Sequence, residues 1–306
     1  MGGKKRYLLF IIILIMLAGL FSMLTAYQWP VENIVLKQTF GENNNGSFLS
    51  GISLGGNRQS VRPVEAGEIV FYFNEEQEYA PLPSGLGNFV VVRHDRNLFS
   101  MYSHLEMLPD FSLDKNAVLG LEDSFAFVGQ SGEAMGLQLN LEIIDLEFNQ
   151  LVNPLKILPP LRDTIRPTIG EVFINQGGWV PLQNAGSIIP GVYDVAVEIY
   201  DQSQWVRYSR PMAPFRINIF INGEEIFFQI FDALESKNGK LYLVSRQAQR
   251  SFNELYTPEG NIFAGHYNFA PGEAGIEIIV TDFQENRTVK NLKVLVNPQV
   301  QVNPQG

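Results

Sequence analysis

Leu137-Gln138-Leu139-Asn140-Leu141-Glu142-Ile143 alternates apolar and polar side chains without a break. Successive side chains on a strand point to opposite faces. The pattern therefore predicts a strand with Leu139, Leu141 and Ile143 turned to a core and Gln138, Asn140 and Glu142 on the other face. The same period recurs at Glu68–Phe73, Phe89–Arg93 and Leu98–His104, between breaks rich in Gly and Asn. No stretch before about residue 150 carries the stripe of an amphipathic helix, so the first half reads as an antiparallel β domain.

Residues 158–167, Leu-Pro-Pro-Leu-Arg-Asp-Thr-Ile-Arg-Pro, interrupt the pattern. Prolines fix φ and restrict the residue before them, so this stretch reads as a stiff linker between independently folding units, with few contacts across it. Alternation resumes at Gly191–Asp201, Arg216–Ile221, Glu224–Phe231, Ile276–Asp282 and Thr288–Val296. Asn222-Gly223 and Asn238-Gly239 stand where type I′ hairpin turns need two residues that tolerate positive φ. Many short strands predict a β-sandwich over 168–297, immunoglobulin-like in architecture alone because the Cys-Trp-Cys signature is missing. Residues 298–306 read as a frayed tail. The expected fold is thus mainly β, an antiparallel β domain over 27–157 followed by this sandwich.

The chain has no Cys, which excludes disulfides, thiolate chemistry and a lipoprotein-type anchor. Lys4, Lys5 and Arg6 precede an uncharged apolar run from Tyr7 to Ala26. Residues 1–26 therefore read as a signal peptide or as a retained N-terminal membrane anchor, and both place the remainder outside the cytoplasm. Residues 1–26 carry three basic residues and no acidic one, so the remainder carries −13 against −10 for the whole chain. Such a surplus argues against nucleic acid as a partner, and it leaves membrane contact to the N-terminal segment if that is kept.

Eight blocks occur in a specific order: Phe40-Gly41, Phe48–Leu54, Val64–Val70, Gly87–His94, Tyr102-Ser103-His104-Leu105, Val128–Gly132, Gly136–Ile143 and Asn153-Pro154, with Trp29-Pro30 ahead of them. Over roughly residues 27–155 this order resembles the LytM/lysostaphin-type zinc endopeptidases, which cleave peptide cross-links in bacterial peptidoglycan. The resemblance implies three zinc-ligand positions, at Leu49, Ser53 and Asn140, and two auxiliary histidine positions, at His104 and Gln138. Zinc takes imidazole nitrogen, thiolate or carboxylate oxygen with one position open for water. An alkyl chain, a neutral hydroxyl and a neutral amide do not supply that set. Of the family's site histidines the sequence keeps His104 alone.

The resemblance therefore implies a pseudoenzyme without a metal or other cofactor. Its binding groove would be formed by Leu49, Ser53, His104, Gln138 and Asn140, and its partner would be peptidoglycan or an envelope protein such as a cell-wall hydrolase that it regulates. Exported to the periplasm or cell envelope, it would be tethered to the inner membrane if the leader stays. Two other readings remain open: an active metalloendopeptidase with unorthodox ligands, and a spacer whose sandwich binds through Trp179, Trp205, Tyr208 and Phe215. His94 and His266 read as structural residues, and Gly129-Gln130-Ser131-Gly132 reads as a turn rather than a nucleophile or phosphate loop.

Overall fold

The computed structural model describes residues 27–75, 84–108, 117–175, 177–182, 187–202, 204, 211–246 and 248–297. The expected leader and tail, together with Trp205 and Tyr208, lie outside them. The described chain is almost wholly antiparallel β, as its alternating runs predict.

The strand Gln138–Asp145 lies inside the largest sheet. Leu98–Ser103 pairs along one edge, while Ile52–Gly55 and then Gln150–Val152 share the other. Beyond Leu98–Ser103 the sheet runs through Phe89–Arg93 and Gly67–Phe73 to Val118–Leu119. Leu139, Leu141 and Ile143 are buried with Ile52, Leu54, Val90, Val92 and Tyr102 in one core. Complete burial of each such side chain contributes about 1.5–3 kcal/mol. Gln138, Asn140 and Glu142 are left on the opposite face.

After the proline-rich stretch, two sheets share a second core. Trp179–Pro181, Thr168–Asn175, Gly191–Tyr200 and Ile262–Phe269 form a four-stranded sheet. Ser187–Ile188, Arg287–Val296, Gly272–Thr281, Arg216–Ile221 and Glu224–Ile230 form a five-stranded one. Val172, Val195, Val197 and Ile262 from the first are buried with Ile217, Ile219, Ile278 and Val280 from the second. Asn222 and Gly223 have φ of 55° and 82°, and Asn238 and Gly239 of 53° and 73°. These positive values make the two-residue hairpin turns that the Asn-Gly pairs predict.

The expectation that few contacts cross residues 158–167 is corrected. Gln150–Val152 pairs with Ala233–Lys237, which carries the first sheet on into Lys240–Ser245 and Ala248–Ser251. Asn153, fully buried, donates its backbone N–H to Asp232 O and its amide to Phe231 O, both at 2.8 Å. Phe40 and Phe48, from the first half, are buried in the second core. Thr39 Oγ1 donates to Ala213 O at 3.0 Å and Tyr256 OH to Gly41 O at 3.1 Å. The physical reason lies in the edge strand: an unpaired row of N–H and C=O groups recruits another strand, and alternation does not encode which strand that is. The prolines do give an irregular segment, but it is docked along its length. Pro159 O accepts the indole N–H of Trp29 at 2.9 Å, and Pro167 O accepts the Thr288 hydroxyl at 2.6 Å.

Candidate functional site

The site is built on the polar face of Gln138–Asp145. Asn140 stands directly between Ser53 on one neighbouring strand and Ser103 on the other. Glycine lets these strands enter closely: a Cβ on Gly51 would lie 2.1 Å from Leu141 O. At the end of Leu98–Ser103 the chain turns sharply, and His104 takes a φ of 64°. Its backbone N–H is held by Leu86 O at 2.9 Å.

That turn aims the His104 imidazole at Asn140. His104 Nδ1 lies 3.0 Å from Ser131 O and Nε2 lies 3.1 Å from Asn140 Nδ2. A carbonyl only accepts, so Nδ1 carries the proton, and Nε2 accepts from the Asn140 amide. The opposite amide orientation would need an imidazolium. Burial disfavours that state and lowers the His104 pKa, against the weaker opposing pulls of Ser131 O, Glu133 and Glu75. The neutral imidazole is thereby fixed in one tautomer. Asn140 Oδ1 and Ser53 Oγ, both buried, have no hydrogen-bond partner among the described residues.

Of the five groove positions read from the sequence, Ser53, His104 and Asn140 come together directly. Gln138 lies two residues from Asn140 on the same strand face, opposite Gly55, and its backbone N–H donates to Gly129 O at 3.0 Å. Leu49 is buried just before Ile52–Gly55, but no described contact joins it to the other four. Zinc does not fit this set. Asn140 offers a neutral amide already committed to His104, Ser53 a neutral hydroxyl, and Leu49 no lone pair. Among the described residues there is no group of three or more His, Cys, Asp or Glu placed to hold a metal.

Sequence reasoning passed over the residues that brace the site. Ser131, in the glycine turn, holds His104 through its carbonyl and donates its hydroxyl to Leu105 O at 2.9 Å. A Cβ on Gly129 would meet the backbone of residues 104–106 at 2.3–2.6 Å, so the turn packs flush against the His104 corner. Ser50 Oγ donates to Glu142 Oε1 at 2.6 Å. Burial raises the Glu142 pKa, and the Ser50 bond only partly offsets it. The period-two face already pointed to Glu142, whereas nothing in the spacing pointed to Ser50 or Ser131.

The other histidines lie apart from this face. His94 is buried, with Nδ1 3.1 Å from Ala66 O and Nε2 2.7 Å from Ser100 Oγ, in a chain of polar groups that continues to the Tyr102 hydroxyl. His266, on the four-stranded sheet, pairs with the cross-strand Asp194 at 2.5 Å, a partner distant in sequence. Phe215 packs its ring 4.5 Å from that of Phe283, and Trp179 is half-buried on an edge strand.

One family model matches residues 166–297, less than half of the 306-residue chain. No curated protein matches the chain. Among solved structures it is similar to the SpoIIQ–SpoIIIAH pore-forming complex, at 19% identity and a TM-score of 0.36, over 44% of this chain and 92% of that one. It is also similar to a mutant catalytic domain of the prophage-encoded M23 protein EnpA from Enterococcus faecalis. That match has 21% identity and a TM-score of 0.35, over 42% of this chain and 95% of that one. A third similarity is to lysostaphin in solution, at 12% identity and a TM-score of 0.35, over 88% of this chain and 96% of that one.

Proposed function

We propose that this chain is a non-catalytic, LytM-like protein of the cell envelope. Its groove at Leu49, Ser53, His104, Gln138 and Asn140 binds peptidoglycan or an envelope protein and so regulates a cell-wall hydrolase. The observation that carries this reading is the Asn140–His104 pair. The amide and imidazole satisfy one another as neutral groups, in the position where the resemblance implies a cation and its activated water. Asn140 Oδ1 and Ser53 Oγ, buried beside that pair, have no hydrogen-bond partner among the described residues, and a partner that opens this face would find there an acceptor and a hydroxyl. An immunoglobulin-like architecture for residues 168–297, and export through residues 1–26, belong to the same proposal.

The test compares the full chain with a Gln138→Ala/Asn140→Ala variant for binding to isolated peptidoglycan and to proteins of envelope extracts. Loss of two net hydrogen bonds, each about 0.5–1.5 kcal/mol, lowers affinity about tenfold. Unchanged binding by the variant would move the function out of the groove. Cleavage of peptidoglycan cross-links by the unaltered chain would restore the metalloendopeptidase reading.

A further inference from the structure

The outer face of the five-stranded sheet carries a second constellation, unrelated to the groove. Arg216 stands opposite Thr281, and Thr281 stands opposite Arg287, so the three lie in one row across adjacent strands. Their chain neighbours Ile217 and Val280 face the core and are fully buried. Alternation therefore turns the row outward. Together with Arg246, Phe228 and Glu285 the row lines an open concavity of about 430 Å³.

Three features make this concavity unusual for a chain of net charge −10. First, its lining holds three arginines against one carboxylate, Glu285, whose contact with Arg216 is long at 3.8 Å and exposed to solvent. Arg287 has no ion-pair partner among the described residues. Second, the Arg246 guanidinium is stacked over the Phe228 ring at 3.5 Å and held from the side by Glu225 at 3.3 Å, so a cation is fixed over an apolar wall. Third, Thr281 is 2% exposed, and its hydroxyl is buried at the floor of the row without a hydrogen-bond partner among the described residues. A buried hydroxyl left without a partner is destabilising. Between two guanidinium groups it is a donor waiting for an acceptor.

We propose that this face is a binding site for the carboxylate of an acidic peptide segment. Arg216 and Arg287 flank the carboxylate, the Thr281 hydroxyl donates to it from below, and Arg246 with Phe228 takes an adjoining apolar side chain. Guanidinium matches the planar, two-oxygen geometry of a carboxylate, and such charge-assisted bonds are roughly twice as strong as neutral ones. The carboxylate can come from an Asp or Glu side chain or from a chain end.

The test titrates the full chain with fluorescent Asp-Glu-Phe-Asp-Glu, in free-acid and C-terminally amidated forms, with Asn-Gln-Phe-Asn-Gln amide as the uncharged control. Saturable binding of the acidic peptide, at least tenfold tighter than the control, supports the site. Loss of binding on amidation assigns the chain end, and retention assigns the side chains. Arg216→Gln and Arg287→Gln each weaken binding about tenfold or more. Thr281→Val weakens it several-fold while leaving Tm unchanged or higher, because it removes an orphan hydroxyl without changing shape. Equal binding of the uncharged control, displacement by an equal concentration of inorganic phosphate, or full affinity in Arg216→Gln/Arg287→Gln would overturn the proposal. A fall in Tm with unchanged affinity in Thr281→Val would make that hydroxyl a structural group and remove its part in the site.

Discussion

The side-chain nitrogen of Asn140 lies 3.1 Å from Nε2 of His104, whose other ring nitrogen is committed to the carbonyl of Ser131. This pair holds a buried histidine neutral and in one tautomer. His104 is therefore expected to titrate below its ordinary range when followed by NMR. With the folded pKa depressed, the unfolded chain binds the proton first as pH falls, so stability declines below about pH 6.5. Asn140→Ala removes a donor to the neutral ring and should move the His104 titration upward. A His104 that titrates normally in the unaltered chain would show that the imidazole is not buried as described.

The donor chemistry of Leu49, Ser53 and Asn140 predicts no stoichiometric zinc in the purified chain after equilibration with trace metal. If the positions inherited from the resemblance still converge, Leu49→His/Ser53→Asp/Asn140→His should gain about one equivalent. Elemental analysis of both proteins reads this out. Tightly held zinc in the unaltered chain would refute the pseudoenzyme reading, and a triple variant without zinc would show that Leu49 does not face the other two.

Asp201 tests the second core. Burial, with Asp282 and Asp163 nearby, pushes its pKa up from 3.8 to about 7, against the backbone N–H of Gln202 that it accepts. The folded chain therefore takes up a proton between pH 7 and pH 4 that the unfolded chain lacks. Stability from this group rises as pH falls through that window, and the penalty of ionisation is complete above pH 7. Asp201→Asn keeps the acceptor for Gln202 and should be more stable at pH 8 by about 1 kcal/mol or more, about 2–4 °C in Tm. The gain should vanish near pH 4, and an equal gain at both pH values would point to a cause other than ionisation.

The junction predicts one cooperative unit. Asn153→Ala leaves the Phe231 carbonyl buried without its donor and should cost about 1–3 kcal/mol. Calorimetry of the full chain should show a single transition that moves down as a whole in the variant. Two separate transitions, with only the first displaced, would mean that the shared sheet does not couple the halves.

The sequence by itself determined the strongly alternating strands, among them those at residues 138–143, 191–200, 216–221 and 276–281, the polar face of residues 138–143 and the hairpin turns. Each is local: side-chain alternation has a period of two, and Asn-Gly pairs accept positive φ where other residues resist it. The side chains at Leu49, Ser53 and Asn140, the positions that the resemblance implies for zinc ligands, are likewise read from sequence alone. Only the tertiary structure decided strand partners, since hydrogen-bonding edges are chemically alike along any strand. Hence the pairing of Gln150–Val152 with Ala233–Lys237 runs through a boundary that the prolines had marked as a divide. The Ser131 carbonyl behind His104 and the row Arg216–Thr281–Arg287 were likewise invisible in sequence, because each depends on register between strands far apart in the chain.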